Sequence, residues 1–227
     1  VATDLPGLIS YPLPTDLPDP VVDWTPDPGR CALLVHDMQR HFLRPFDPST
    51  QPLTSLVPNT VTLAEQARRC GVPVFYTAQP ADQPPEKRGL LNDYWGPGLT
   101  GSPEGARIID DLTPQDGDRV LTKWRYSAYA YTDFADQLAE LGRDQLVITG
   151  VYASIGCSVT AVESFMAGVQ PFLVADALGD FSRREHELAL QWTGHRAGVV
   201  TDTAAVTAHW AGPGKDAGIS PRPADPS

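Results

Sequence analysis

The chain has 227 residues, 41% of them hydrophobic, and a formal net charge of −11. That length suits one α/β domain, crowds out two, and allows a substantial buried core. The acidic balance argues against nucleic acid or an anionic membrane surface as partner, and no run approaches the roughly 18 apolar residues a spanning helix needs.

Residues 1–28 carry seven prolines. Proline fixes φ and removes a donor, so this stretch reads as an extended arm lying over the domain or over a second subunit. The first strand is predicted over 31–37. A helix follows over 59–69, with Gly71 suited to its C-terminal stop. The second strand covers 72–77, and a long Pro- and Gly-rich loop runs from 78 to 102. Loops of that length in compact domains are usually functional. A short helix is expected over 103–111, the third strand ends at Thr122, and a helix covers 132–141. The fourth strand spans 145–150, a helix 158–167, the fifth strand 171–175, a helix 183–193 and the sixth strand 198–201. After residue 210 the chain turns rich in Gly, Pro and Asp and reads as a loose tail. The expected organisation is an arm over 1–28, one catalytic domain over 29–210 and a tail over 211–227.

Six short β-rich runs, each followed by a helix, predict an α/β fold. Its sheet should be six-stranded, mostly parallel and flanked by helices in a Rossmann-like sandwich. No dinucleotide role follows, because neither a Gly-x-Gly-x-x-Gly turn nor a P-loop is present.

Three reactive residues close predicted strands: Asp37 the first, Lys123 the third, and Cys157 one turn beyond the fourth. Neighbouring strand ends of a parallel sheet face one crevice, where ligands bind. Each residue also has an ordinary reading: a capping aspartate, a solvated lysine, a buried inert cysteine. The surroundings favour a site. His36 to Gln39 leads into His41-Phe42, which reads as an aromatic wall rather than a helix start. Trp124 and Tyr126 flank Arg125 and would shield Lys123 from water. Small residues before Cys157 suit a nucleophile presented at a helix N-terminus, where its pKa would fall. Gln79 ends the second strand. Arg88 in the loop beyond suits a carboxylate, and Trp95 suits a ring or the packing of its own loop. The five histidines show no metal-ligand spacing, so no metal is expected. Three cysteines cannot all pair within one chain, and with no signal peptide visible they read as thiols in a reducing cytoplasm.

Several runs together resemble the isochorismatases: Ala32 to Gln39, Tyr76 to Pro80, Trp95 to Gly98, Lys123 to Ala128, Gly150 to Ala153, and Val174 to Ala177. The resemblance extends from about Ile9 to Val206. It implies hydrolysis of an enolpyruvyl ether in a small anionic chorismate-derived substrate, releasing pyruvate. Isochorismatases act on isochorismate in siderophore pathways, and a phenazine-pathway branch acts on 2-amino-2-deoxyisochorismate. By the same resemblance Asp37 is the general acid, Lys123 the active-site lysine and Cys157 the superfamily cysteine. Gln79, Arg88, Tyr152 and Gly156 then match substrate-binding positions, and Phe42, Trp95 and Tyr126 are expected to bind substrate beside them. No cofactor is implied, and a homodimer is. Only 26 residues follow Thr201 (227 − 201), too few for the aryl-carrier domain of many siderophore members. In that respect the chain resembles the stand-alone phenazine branch. The family usually has histidine where Ser154 stands, and the phenazine branch typically lacks the cysteine kept here. The two substrates therefore stay open.

Cleaving a vinyl ether requires a proton delivered to carbon, which makes Asp37 the essential residue and Cys157 dispensable. Lys87, Arg88, Lys123 and Arg125 are expected to form a positive patch that offsets the overall charge. Two other readings remain: a Cys157-dependent amidase of the wider superfamily, and an idle partner in a biosynthetic assembly.

Overall fold

The computed structural model describes residues 7–212. Six strands form one sheet: β1 (Cys31–His36), β2 (Val74–Ala78), β3 (Arg119–Thr122), β4 (Gln145–Val151), β5 (Gln170–Gly179) and β6 (Val199–Thr201). Their order is β3-β2-β1-β4-β5-β6, and every pairing is parallel. The order reverses between β1 and β4, so a crevice opens at the carboxyl ends of those two strands.

The strands at the centre are buried on both faces, as a parallel sheet requires. Along β1, Cys31, Leu33 and Val35 enter one apolar layer while Ala32 and Leu34 enter the other. The first layer lies under α2 (Leu53–Arg69) and α9 (Thr203–Ala211). The second lies under α6 (Phe134–Glu140), α7 (Ser158–Met166) and α8 (Arg183–Arg196).

Several boundaries differ from the sequence reading. Helix α2 begins at Leu53, ahead of the expected start at residue 59, and contains Pro58. The fully buried Leu56 anchors this extra turn despite the missing N–H of Pro58. Strand β5 continues to Gly179 through Asp176, whose side chain accepts hydrogen bonds from the Thr203 N–H and hydroxyl. A strand-interior acid serving a distant helix has no local signal. Helix α9 was not anticipated; Asp202 caps it by accepting from the Ala205 N–H at 2.7 Å. The stretch after Asp37 was read as an aromatic wall, but it forms the short helix α1 (Arg40–Leu43). The long loop holds α3 (Pro85–Arg88) and α4 (Leu91–Trp95), followed by α5 (Pro103–Ala106). The tail expected over 211–227 lies, beyond Gly212, outside the described residues.

From residue 7 the arm packs along the domain. Ile9 exchanges backbone hydrogen bonds with Pro45 and Asp47. The Tyr11 hydroxyl accepts from the Asp180 N–H at 2.7 Å, 169 residues away in sequence. Further on, the Gln145 side chain bonds the arm at Thr25 and Asp27.

Candidate active site

The crevice holds a cavity of about 460 Å³. Asp37, Lys123, Phe42, Gln79, Arg88, Trp95, Tyr126, Tyr152 and Gly156 all line it, and Cys157 does not. His41, expected with Phe42 as an aromatic wall, lines it too, and so do His36, Arg44, Ile155 and Phe181, which the sequence reading gives no site role.

Asp37 follows β1 with φ 48°, a left-handed conformation that aspartate tolerates better than most residues but that still costs energy. Thr77 of β2 secures it twice. Its hydroxyl accepts from the Asp37 N–H at 3.0 Å and donates to Oδ1 at 2.6 Å. The other oxygen, Oδ2, meets Lys123 Nζ at 2.7 Å and the Gln79 amide at 3.4 Å. Burial pushes the Asp37 carboxyl up, but the Lys123 charge and the hydrogen bonds from Lys123 and Thr77 outweigh it and hold the carboxyl below the usual range.

Lys123 is buried beside β3. Its ammonium reaches three acceptors: Asp37 Oδ2, the Tyr126 carbonyl at 3.1 Å and His36 Nε2 at 3.3 Å. Burial and Lys123 lower the His36 pKa to about 4, so the ring is neutral. Its Nδ1 lies 2.7 Å from the Val151 carbonyl, which fixes the proton on Nδ1 and leaves Nε2 to accept from Lys123.

A second polar chain runs away from the carboxylate. Gln79 accepts from Gln83 at 3.0 Å, and Gln83 accepts from Arg88 at 2.7 Å. Gln39 locks Gln79 in place: it accepts from the Gln79 N–H and donates to the Gln79 carbonyl, each at 2.8 Å. The Arg88 guanidinium also donates to the Gly96 carbonyl at 2.7 Å. It packs so tightly on Gly98 that a Cβ there would lie 2.5 Å from its Nη1. Arg88 is 4% exposed. Burial lowers its pKa, yet arginine stays charged. Among the described residues no carboxylate forms an ion pair with it.

The remaining walls are aromatic. Tyr152 packs on Phe181, with ring centroids 4.2 Å apart, and donates its hydroxyl to the Phe42 carbonyl at 2.7 Å. Trp95 donates to the Tyr126 hydroxyl at 2.8 Å and lies over Phe181. Among the described residues, Asp37 is the only carboxylate lining the cavity.

Two expectations are corrected here. Cys157 was expected to be presented as a nucleophile with a depressed pKa. Instead it is fully buried in the apolar layer beneath α7 and α8. Burial raises its thiol well above the ordinary value and overrides the nearby Lys123. The second correction concerns the positive patch. Lys87 lies over the Trp124 ring, and Arg125 donates to the Lys87 and Trp124 carbonyls and lies over Tyr131. Neither lines the cavity; Arg44 does, with Arg88 and Lys123. All three cysteines are free thiols. Among the described residues no group of three or more His, Cys, Asp or Glu side chains can hold a metal. No helix among them is long and apolar enough to cross a membrane.

The parallel sheet and its crevice have close counterparts. A solved cysteine hydrolase from Pseudomonas syringae pv. phaseolicola 1448A superposes with a TM-score of 0.77 at 22% identity, covering 89% of this chain and 99% of that one. The fold is therefore that of the cysteine hydrolases. Sequence narrows it further. A family profile for the isochorismatase domain matches residues 31–205. The isochorismatase of Bacillus subtilis (strain 168) is 47% identical over 203 residues, spanning 88% of this chain and 65% of the relative. The phenazine biosynthesis protein PhzD of Pseudomonas fluorescens is 45% identical over 203 residues, spanning 88% of this chain and 97% of the relative. The chain belongs to the isochorismatase family.

Proposed function

We propose that this protein hydrolyses the enolpyruvyl ether of isochorismate or of its 2-amino-2-deoxy analogue, releasing pyruvate, with Asp37 as the general acid. One observation carries the reading: among the described residues Asp37 is the sole carboxylate facing a cavity of aromatic rings and cations, while the thiol lies behind the wall. Asp37 protonates the terminal CH₂ carbon, and the ether oxygen stabilises the resulting oxocarbenium ion. Water adds to that ion and returns a proton to the Asp37 carboxylate. The hemiketal then collapses to pyruvate and the ring alcohol. Lys123 balances the carboxylate charge formed when Asp37 gives up its proton. Arg88 offers a buried cation to a substrate carboxylate, and Gln79 orients Asp37 Oδ2. Phe42, Trp95, Tyr126 and Tyr152 enclose the ring, and the Gly156 backbone lines the wall beside it.

The reading includes a hydrolase unit over 29–210, a homodimer and a cytoplasmic location. The amidase alternative needs a thiolate at the substrate, and Cys157 is buried and protonated. The decisive experiment measures kcat/KM for pyruvate release from both substrates. Asp37→Asn should lower kcat on the better one by on the order of a hundredfold to ten-thousandfold. Cys157→Ala should stay within about threefold of the parent, because a group outside the cavity supplies no term that grows in the transition state. Loss of all pyruvate release in Cys157→Ala would instead favour thiol chemistry.

A further inference from the structure

The strand end after β5 holds an acid that the proposed reaction does not use. Asp180 is fully buried. One carboxylate oxygen accepts from the Ser154 N–H at 2.5 Å and the other from the Phe181 N–H at 2.8 Å. Ser154 sits in the π-helical turn Ala153–Cys157 that follows β4. That turn carries Ile155 and Gly156 into the cavity, and the Tyr152 ring just before it packs on Phe181. One carboxylate thus ties two separate backbone segments into a single cavity wall.

We infer that Asp180 is a positioning residue for substrate binding, its carboxylate clamping the Ser154 and Phe181 amides so that the 152–156 turn and the Phe181 ring present one rigid wall to the substrate. The inference rests on the proposed substrate reading for its kinetic arm only. The clamp needs an acceptor on both oxygens. Protonation turns one oxygen into an O–H donor facing an N–H donor, and that bond is lost.

Ionisation of this group falls within reach of ordinary conditions. Burial pushes the Asp180 carboxyl up to about 6, against hydrogen bonds from Ser154 and Phe181 that pull it down. The groups facing it are Tyr11 from the arm, Tyr152 ahead of the turn, Cys157 at its end and Glu185 from α8, with His186 of α8 behind Tyr11. Tyr11, Tyr152 and Cys157 have raised pKa values and stay neutral. His186, lowered to about 4, is neutral too. The Ser182 hydroxyl holds Glu185 at 2.8 Å. Of Asp180, the two tyrosines, the thiol and His186, Asp180 is the group whose charge changes near pH 6.

Two measurements test the clamp. In the first, amide NMR follows Ser154 and Phe181 in the ligand-free protein from pH 4.5 to 7.5. Both N–H shifts should titrate together with one midpoint near 6, and flat shifts overturn the inference. In the second, KM and kcat for pyruvate release are followed over the same range. KM should rise as pH falls through that midpoint. Asp180→Asn keeps only one acceptor, so its KM should be raised on the order of tenfold at pH 7.5 and lose that pH step. Its kcat should stay within a few-fold of the parent. Asp180→Asn with the parental KM profile, or with its loss confined to kcat, overturns the inference. Absence of pyruvate release from both substrates would refute the substrate reading, while the NMR titration still decides the clamp.

Discussion

Lys123 spends all three ammonium protons on the protein: Asp37 Oδ2, the Tyr126 carbonyl and His36 Nε2. A substrate carboxylate can gain that cation only by displacing one of these acceptors. If the displaced contact is Asp37, the carboxylate loses the charge that holds its pKa down, and its proton becomes available when substrate is bound. The proposed mechanism requires protonated Asp37, so it predicts that activity is lost as pH rises through the Asp37 pKa. The kcat/KM limb reports free enzyme and should lie below the free aspartate value of about 3.9. The kcat limb reports the complex and should lie above it. A kcat limb no higher than free aspartate would count against this transfer of charge.

At the scale of elements, the turn after β4 is the most constrained part of the site. A Cβ on Gly156 would lie 2.1 Å from Cε1 of His36. His36 cannot yield freely, since its Nδ1 is bonded to the Val151 carbonyl and its Nε2 faces Lys123. Gly156→Ala should therefore displace the imidazole and disturb the Lys123–Asp37 pair. We expect kcat to fall at least about tenfold and stability to drop by about 1–3 kcal/mol, the usual cost of overpacking. Steady-state kinetics with a urea titration checks both, and unchanged kcat would show that His36 has room to move. Which parts of this site were readable follows from the same geometry. Asp37, Lys123 and Cys157 each mark a strand end, and apolar runs announce strands, so the crevice was legible before any coordinates. Whether Cys157 faces the cavity or the layer behind it depends on the rotation of a π-helical turn, which no local pattern encodes. Gln39, Gln83, Thr77 and Asp180 act through partners about 40 residues away or, for Gln83 and Asp180, through loop and turn folding. Their spacing carried no signal. Arg44 was invisible for a different reason: it follows α1, the short helix whose residues His41 and Phe42 read as an aromatic wall.

Over the whole molecule, a net charge of −11 opposes the approach of the proposed dianionic substrate, and the proposal requires a local field that offsets it. Lys123 is neutralised by Asp37, which leaves Arg88 inside and exposed Arg44 beside the cavity. Arg44→Gln should lower kcat/KM several-fold at low ionic strength with kcat unchanged, and the difference should shrink as salt screens the field. A salt-independent difference would assign Arg44 to contact instead of steering. The global pH response has a different origin. His36 and His186 are buried and neutral, with pKa values of about 4 against 6.5 for the ordinary imidazole. The unfolded chain therefore binds more protons as pH falls from 6.5 to 4, and each histidine removes about 3 kcal/mol of stability across that window. Asp180, raised to about 6, works in the opposite sense between 6 and 3.8 and offsets part of this loss. Urea midpoints should fall below pH 6.5, and His186→Gln should flatten the decline. An equal slope in that variant would place the acid sensitivity elsewhere.

The bond between the Tyr11 hydroxyl and the Asp180 N–H spans 169 residues, and this bears on the order in which the chain assembles. Contacts so distant in sequence carry the largest loop-closure cost and form late. During synthesis the arm leaves the ribosome well before β5 and the residues that receive Tyr11. The cavity wall built on Asp180 thus gains its native support only after β1 to β5 have emerged, so a nascent chain can pair its first strands before it acquires a finished site.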